Sequence, residues 1–170
     1  MFSISSVSKK NTLLLLIPLV LSAYTHLWNA TGFPDIFYDE GAYLRRALIV
    51  LYYLDPQESA TYYDHPYFGQ MILAAWFAIT GFPDSLETSP TVQSIESIYL
   101  VPKILMGLLA IADTFLIYKI VQYRYKDPRV ACFAALLFAV MPIGWFTRRV
   151  LLESLLLPLL LSSILLALQI

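Results

Sequence analysis

A chain of 170 residues that is 59% hydrophobic and 14% charged, with a mean hydropathy of +0.68, departs from the soluble globular average of roughly 45–50% apolar and about 25% charged residues. This composition predicts an integral membrane protein and excludes an ordinary soluble domain. A formal charge of −1 with eleven scattered basic residues gives no electrostatic footprint for DNA or RNA, and the single Cys132 excludes an intrachain disulfide and a cysteine-based metal site.

Residues 11–28 are the first stretch long enough to cross a hydrocarbon core, which needs roughly 20 mostly apolar residues. Lys9-Lys10 followed by Leu13 to Leu21 also fits the charged and apolar regions of a secretory signal peptide. No Ala-x-Ala cleavage site follows, however, and Tyr24, Leu27 and Trp28 extend the run with side chains suited to a membrane interface. Asn29-Ala30-Thr31 then matches a glycosylation acceptor.

About a dozen residues beyond the first span stands the Asp39-Glu40 pair of Phe37-Tyr38-Asp39-Glu40-Gly41-Ala42-Tyr43, at the start of a predicted helix over residues 40–54. Tyr43, Ala47, Leu48, Leu51 and Leu54 recur at three- and four-residue steps, while Glu40, Arg45 and Arg46 fall elsewhere on the wheel. That pattern lays the helix on the membrane plane, and Asp55-Pro56 ends it. A polar stretch, residues 57–64, leads through His65-Pro66 into a second helix to residue 80, whose apolar run is too short to span. Gly81-Phe82-Pro83-Asp84 breaks it, and residues 85–96 are expected to form one short helix or a loop.

Three further spans follow, at residues 97–122, 130–146 and 150–170, the last without a polar tail, as expected of a portion of a larger module or of a protein that needs partners. The predicted fold class is all-α integral membrane. One membrane domain, residues 1–170, has about four transmembrane helices plus two or three interfacial helices in a large first external loop, residues 29–96.

Lys and Arg near span ends are retained on the cytoplasmic side. Lys9 and Lys10 precede span one, and Lys119, Arg124, Lys126 and Arg129 surround the short turn after span two. The long loop holds only Arg45 and Arg46, with nine of the twelve acidic residues. The N-terminus and the short turn therefore face the cytoplasm, and the acidic loop faces the exterior or a lumen, in a plasma membrane or an endoplasmic reticulum membrane.

Arg148 and Arg149 lie at the external junction of spans three and four, against that bias. An anionic substrate headgroup at that depth accounts for them; the competing accounts are an Arg149–Glu153 pair at i,i+4 and the phosphates of ordinary lipids. Glu153 opens the fourth helix inside an apolar run, where a carboxylate is costly unless paired or facing a wet cavity. Asp113 lies too deep in span two, at roughly 1.5 Å per residue, to reach an external site, and is expected to make a helix-to-helix hydrogen bond. With His26 and His65 the only histidines, no His-Glu-x-x-His zinc spacing exists.

An N-terminal span, an Asp-Glu pair in a large external loop, a His-Pro turn, and an arginine with an acid five residues later at the third-to-fourth span junction together resemble the N-terminal portion of GT-C glycosyltransferases. The resemblance is to the superfamily of protein O-mannosyltransferases and lipid A aminoarabinose transferases. Asp39-Glu40 matches the family's Asp-Glu, Asp64-His65-Pro66-Tyr67-Phe68-Gly69-Gln70 its His-Pro-Pro-Leu-Gly-Lys, and Arg148 and Glu153 its Arg and Asp. The chain departs from the pattern at Tyr67, Gln70 and Glu153, and lacks the arginine often found at the start of the second span, whose charge Lys103 would supply from a neighbouring turn.

The resemblance implies transfer of a sugar, with inversion, from a polyprenyl (dolichyl-type) phosphate to an acceptor hydroxyl of a protein, lipid or glycan on the non-cytoplasmic side. A carboxylate near the acceptor takes its proton, a contribution of about 10²–10⁴-fold. Asp39 is the candidate base, at a helix start where the dipole favours negative charge; its competing role is a helix N-cap. Glu40 binds acceptor, a metal ion or an arginine, or is a solvated first-turn carboxylate. Arg148 and Arg149 are placed to stabilise the leaving phosphate as its charge grows, and Glu153 orients Arg148 or helps hold a metal. His65 lines the donor or acceptor cavity, or is a turn residue before Pro66. No cofactor is assigned, and a divalent metal is the one candidate. A reading of a different class, a non-catalytic membrane scaffold or transporter fragment, predicts that Asp39, His65, Arg148 and Glu153 do not converge.

Overall fold

The computed structural model describes residues 9–54, 67–84 and 92–170. Every regular element among them is helical. Six α-helices follow in order: α1 Lys9–Leu27, α2 Tyr38–Tyr53, α3 Tyr67–Thr80, α4 Val92–Tyr125, α5 Pro128–Val140 and α6 Leu152–Ala167, with a short 3-10 helix, Pro142–Arg148, between the last two. Helix α4 has 34 residues and is about 50 Å long. Its stretch Glu96–Tyr125 is, among the described residues, the one helix long and apolar enough to cross a membrane; α1, α3, α5 and α6 are apolar but shorter.

Local sequence explains the helix ends. Phe37 stands at the N-cap of α2 but has no side-chain acceptor. Glu40, three residues on, reaches back instead, its Oε2 accepting from the Phe37 N–H at 2.8 Å, which is one half of a capping box. Helix α3 stops at Gly81, whose φ of 66° is left-handed. The Phe82 N–H then bonds the Phe77 carbonyl at 3.0 Å, and the two rings meet at 4.4 Å, the arrangement of a Schellman stop. Asp127 caps α5 by accepting from the Arg129 N–H, with Pro128 at the first helical position.

Helix α5 is shorter than expected for a span over residues 130–146. Met141 is extended and Pro142 follows, so the α-helix ends at Val140 and the chain tightens into the 3-10 helix.

Helix α4 packs against α1, α5 and α6. Near one end α2 and α3 lie face to face, and their apolar stripes, among them Tyr43, Ala47, Leu73 and Phe77, share a core with Met106, Val150 and Leu155. Toward the other end Tyr118, Ala131, Cys132 and Ala135 form a second cluster with Leu14 and Leu15 of α1. Gly107 lets α1 come close: a β-carbon there would lie 2.5 Å from Leu27 Cδ2 and 3.0 Å from the His26 carbonyl.

Candidate functional site

Residues 28–37 carry the chain from the end of α1 to α2, and three cations hold their carbonyls. Arg148 Nη2 donates to the carbonyls of Trp28 at 2.6 Å and Asn29 at 3.1 Å, at the C-terminus of α1, where a helix favours positive charge. Lys103 Nζ donates to the Pro34 carbonyl at 3.1 Å, and Arg149 Nη1 to that of Asp35 at 2.9 Å. Lys103 and Arg148 are 1% and 4% exposed, and burial pushes the Arg148 guanidinium below its ordinary pKa.

Glu40 is the counter-charge at the centre of this set. It is fully buried. Besides the Phe37 N–H, it accepts from the Val150 N–H through Oε1 at 2.8 Å, and Arg149 Nη1 lies 3.5 Å from Oε2. Lys103 is also close enough to feel its charge. Among the partners expected for Glu40, an arginine is present in Arg149. The expectation of a solvated first-turn carboxylate is corrected, because both oxygens are engaged with backbone amides.

Asp39 points elsewhere. Phe37 takes the N-cap position that the sequence suggested for Asp39, so Asp39 is exposed in the first helical turn and makes no hydrogen bond or ion pair among the described residues. It lines a cavity of about 870 Å³ together with Phe37, Tyr43, Phe146, Arg149, Glu153 and their neighbours. Arg149 lies over the Phe37 ring, 5.3 Å from its centre. Both of its polar contacts use Nη1, which leaves the hydrogens of Nη2 and Nε for a bound anion. Glu153 also borders a smaller apolar cavity of about 160 Å³ lined by Phe68, Gly69, Ile72 and leucines of α6.

The site therefore gathers Asp39, Arg149 and Glu153 on one cavity and sets Glu40, Lys103 and Arg148 behind it. Arg148, expected to face a phosphate, has its Nη2 on α1's terminal carbonyls. Glu153 does not orient Arg148 either. The i,i+4 pair Arg149–Glu153 is absent, because Arg149 is extended and α6 begins only at Leu152. Among the described residues no group of three His, Cys, Asp or Glu side chains is poised to hold a metal. His65, Asp64 and Pro66 lie outside the described residues. Gln70 is buried with its Oε1 unpartnered.

A second polar set escaped the sequence reading. Ser22 Oγ lies 2.7 Å from Thr114 Oγ1, His26 Nδ1 lies 2.9 Å from the Ser22 carbonyl, and Thr25 Oγ1 donates to the Ala139 carbonyl at 2.9 Å. The signal was present, since Ser22, Thr25 and His26 share one face of an apolar helix, as polar residues at helix interfaces do. The hydrogen bond between helices expected of Asp113 belongs to its neighbour Thr114, while both Asp113 carboxylate oxygens are buried without a partner. No protein-family model, no curated protein and no solved structure matches the chain.

Proposed function

We propose that the chain is a membrane glycosyltransferase of the GT-C type, or the N-terminal portion of one, using a polyprenyl-phosphate sugar as donor at the cavity beside α2 and α6. The observation that carries this reading is the meeting of Asp39, Arg149 and Glu153 on one cavity of about 870 Å³, a volume within the roughly 300–1,000 Å³ usual for small-molecule sites. The four-span membrane arrangement belongs to the same proposal. It is supported by the exposed apolar side chains of α1, α5 and α6, among them Leu13, Val20, Phe133, Leu137, Leu156 and Leu160, since exposed apolar side chains gathered on helix faces suit contact with a membrane.

In this mechanism Asp39 accepts the proton of the acceptor hydroxyl. The acceptor oxygen bonds to the anomeric carbon as the carbon–oxygen bond to the phosphate breaks, which inverts that centre. The phosphate gains negative charge beside Arg149, so the cation stabilises the transition state more than the ground state. Lys103, Arg148 and Glu40 hold the loop and the Val150 amide on which this geometry rests. Incubating the membrane-reconstituted protein with a panel of polyprenyl-phosphate sugars tests the reading: one carrier is consumed, and Asp39→Asn slows its consumption by about 10²–10⁴-fold.

A second reading, a non-catalytic scaffold, is favoured by one specific observation. Glu40, Lys103 and Arg148 are all engaged with backbone groups, which is a structural use of charge. It predicts that no carrier is consumed.

A further inference from the structure

At the far end of α4, sixteen residues and so about 24 Å from Lys103, a second cavity of about 460 Å³ lies between the last turns of α4 and α6. It is lined by Lys119, Gln122, Tyr123, Lys126, Leu165 and Gln169. We infer that this cavity is a binding site for an anionic phosphate group, with the two lysine ammonium groups as its charge partners.

Both ammonium groups are positioned by aromatic rings. Lys126 Nζ lies 3.9 Å from the centre of the Tyr123 ring, and Lys119 Nζ 5.5 Å from that of Phe115, contacts that hold a cation without neutralising it. Lys126 has a left-handed φ of 58°, and its N–H bonds the Gln122 carbonyl at 2.9 Å, so the α4–α5 turn fixes where its side chain starts. No carboxylate lines the cavity. The nearest acid in sequence, Asp127, uses Oδ1 to cap α5 at the Arg129 N–H. Neither lysine has an ion-pair partner among the described residues.

The helix ends oppose an anion only in part. Two C-termini, of α4 and α6, contribute about half a negative charge each, against two full positive charges. Gln122 and Gln169 add amide donors, and Leu165 gives an apolar wall. That combination suits a phosphate group better than a carboxylate or a halide, because several donors can reach its oxygens at once. The outward leucines of α6 beside it, Leu160 and Leu166, offer a path for acyl chains, so a phospholipid headgroup and a free phosphate are the two sources of this chemistry. The site stands apart from the cavity at Asp39 and does not depend on the glycosyltransferase reading.

Native mass spectrometry of the detergent-purified chain tests it, with phosphatidylglycerol, phosphatidylcholine and inorganic phosphate as probes. One phosphatidylglycerol is expected per chain, retained in preference to phosphatidylcholine. The Lys119→Gln/Lys126→Gln variant is expected to weaken retention about 30-fold, following the contribution of each basic residue to anionic-lipid binding, and Lys126→Gln alone about fivefold, whereas Arg129→Gln, outside the cavity, changes it little. Displacement of the lipid by millimolar inorganic phosphate assigns a free phosphate as ligand, and persistence of the lipid assigns the headgroup. Equal retention of both lipids, or a double variant with an unchanged unfolding midpoint that binds like the parent, overturns the proposal.

Discussion

Lys103 and Arg148, near the α2 end of the bundle, and Lys119 and Lys126, at its opposite end, are all long cationic side chains beside a helix terminus or a turn, yet their surroundings differ. The first two are almost fully buried and donate to the carbonyls of Pro34, Trp28 and Asn29. The other two reach a cavity and rest against rings. A cation bonded to backbone inside the protein organises the chain, and its removal strands polar groups away from water. A cation held by a ring at a cavity rim keeps its charge for a ligand. The same contrast recurs between two adjacent residues: Glu40 is enclosed by amides and cations, whereas Asp39 faces the cavity.

Substitutions sharpen the comparison in order of expected size. Glu40→Ala leaves the Phe37 and Val150 amides without acceptors and removes the counter-charge from Arg149 and Lys103, so the unfolding free energy in detergent is expected to fall by about 3–5 kcal/mol, the range for breaking a buried ion pair. Arg148→Met frees the terminal carbonyls of α1 and is expected to remove about 1.5–3 kcal/mol in denaturant titration. Gly107→Ala sets a methyl against Leu27 and the His26 carbonyl and forces α1 from α4, at about 1–3 kcal/mol; a loss of thermal midpoint reads this out. Asp39→Asn is expected to change stability by less than about 0.5 kcal/mol, since its carboxylate bonds nothing among the described residues. If Glu40→Ala proves as silent as Asp39→Asn, the distinction between the two acids fails.

The helical order was legible because apolar length and periodicity are local properties. The expected helix over residues 40–54 falls on α2, that over 66–80 on α3, and the spans at 11–28, 97–122 and 150–170 on α1, α4 and α6, each within a few residues of its ends apart from the N-terminal extension of α4 to Val92. The span at 130–146 was overextended because hydropathy does not register Pro142 as a stop, although the backbone does. The site was legible only in part. Residue type suggested that Asp39, Arg149 and Glu153 matter, and they share a cavity. The partners of Glu40 and Arg148 were not legible, since the Val150 amide and the Trp28 carbonyl lie more than a hundred positions away and backbone groups carry no signature in sequence. Arg148 and Arg149 look equivalent as neighbours, but the 3-10 helix ends at Arg148 and turns the two side chains to different sides.

The most direct measurement of the central claim is sugar transfer by Asp39→Asn protein in reconstituted membranes, read beside its thermal midpoint. The account predicts that carrier consumption falls by about 10²–10⁴-fold, the contribution of a general base, with the midpoint unchanged. Transfer at the parent rate by a folded Asp39→Asn protein would contradict it.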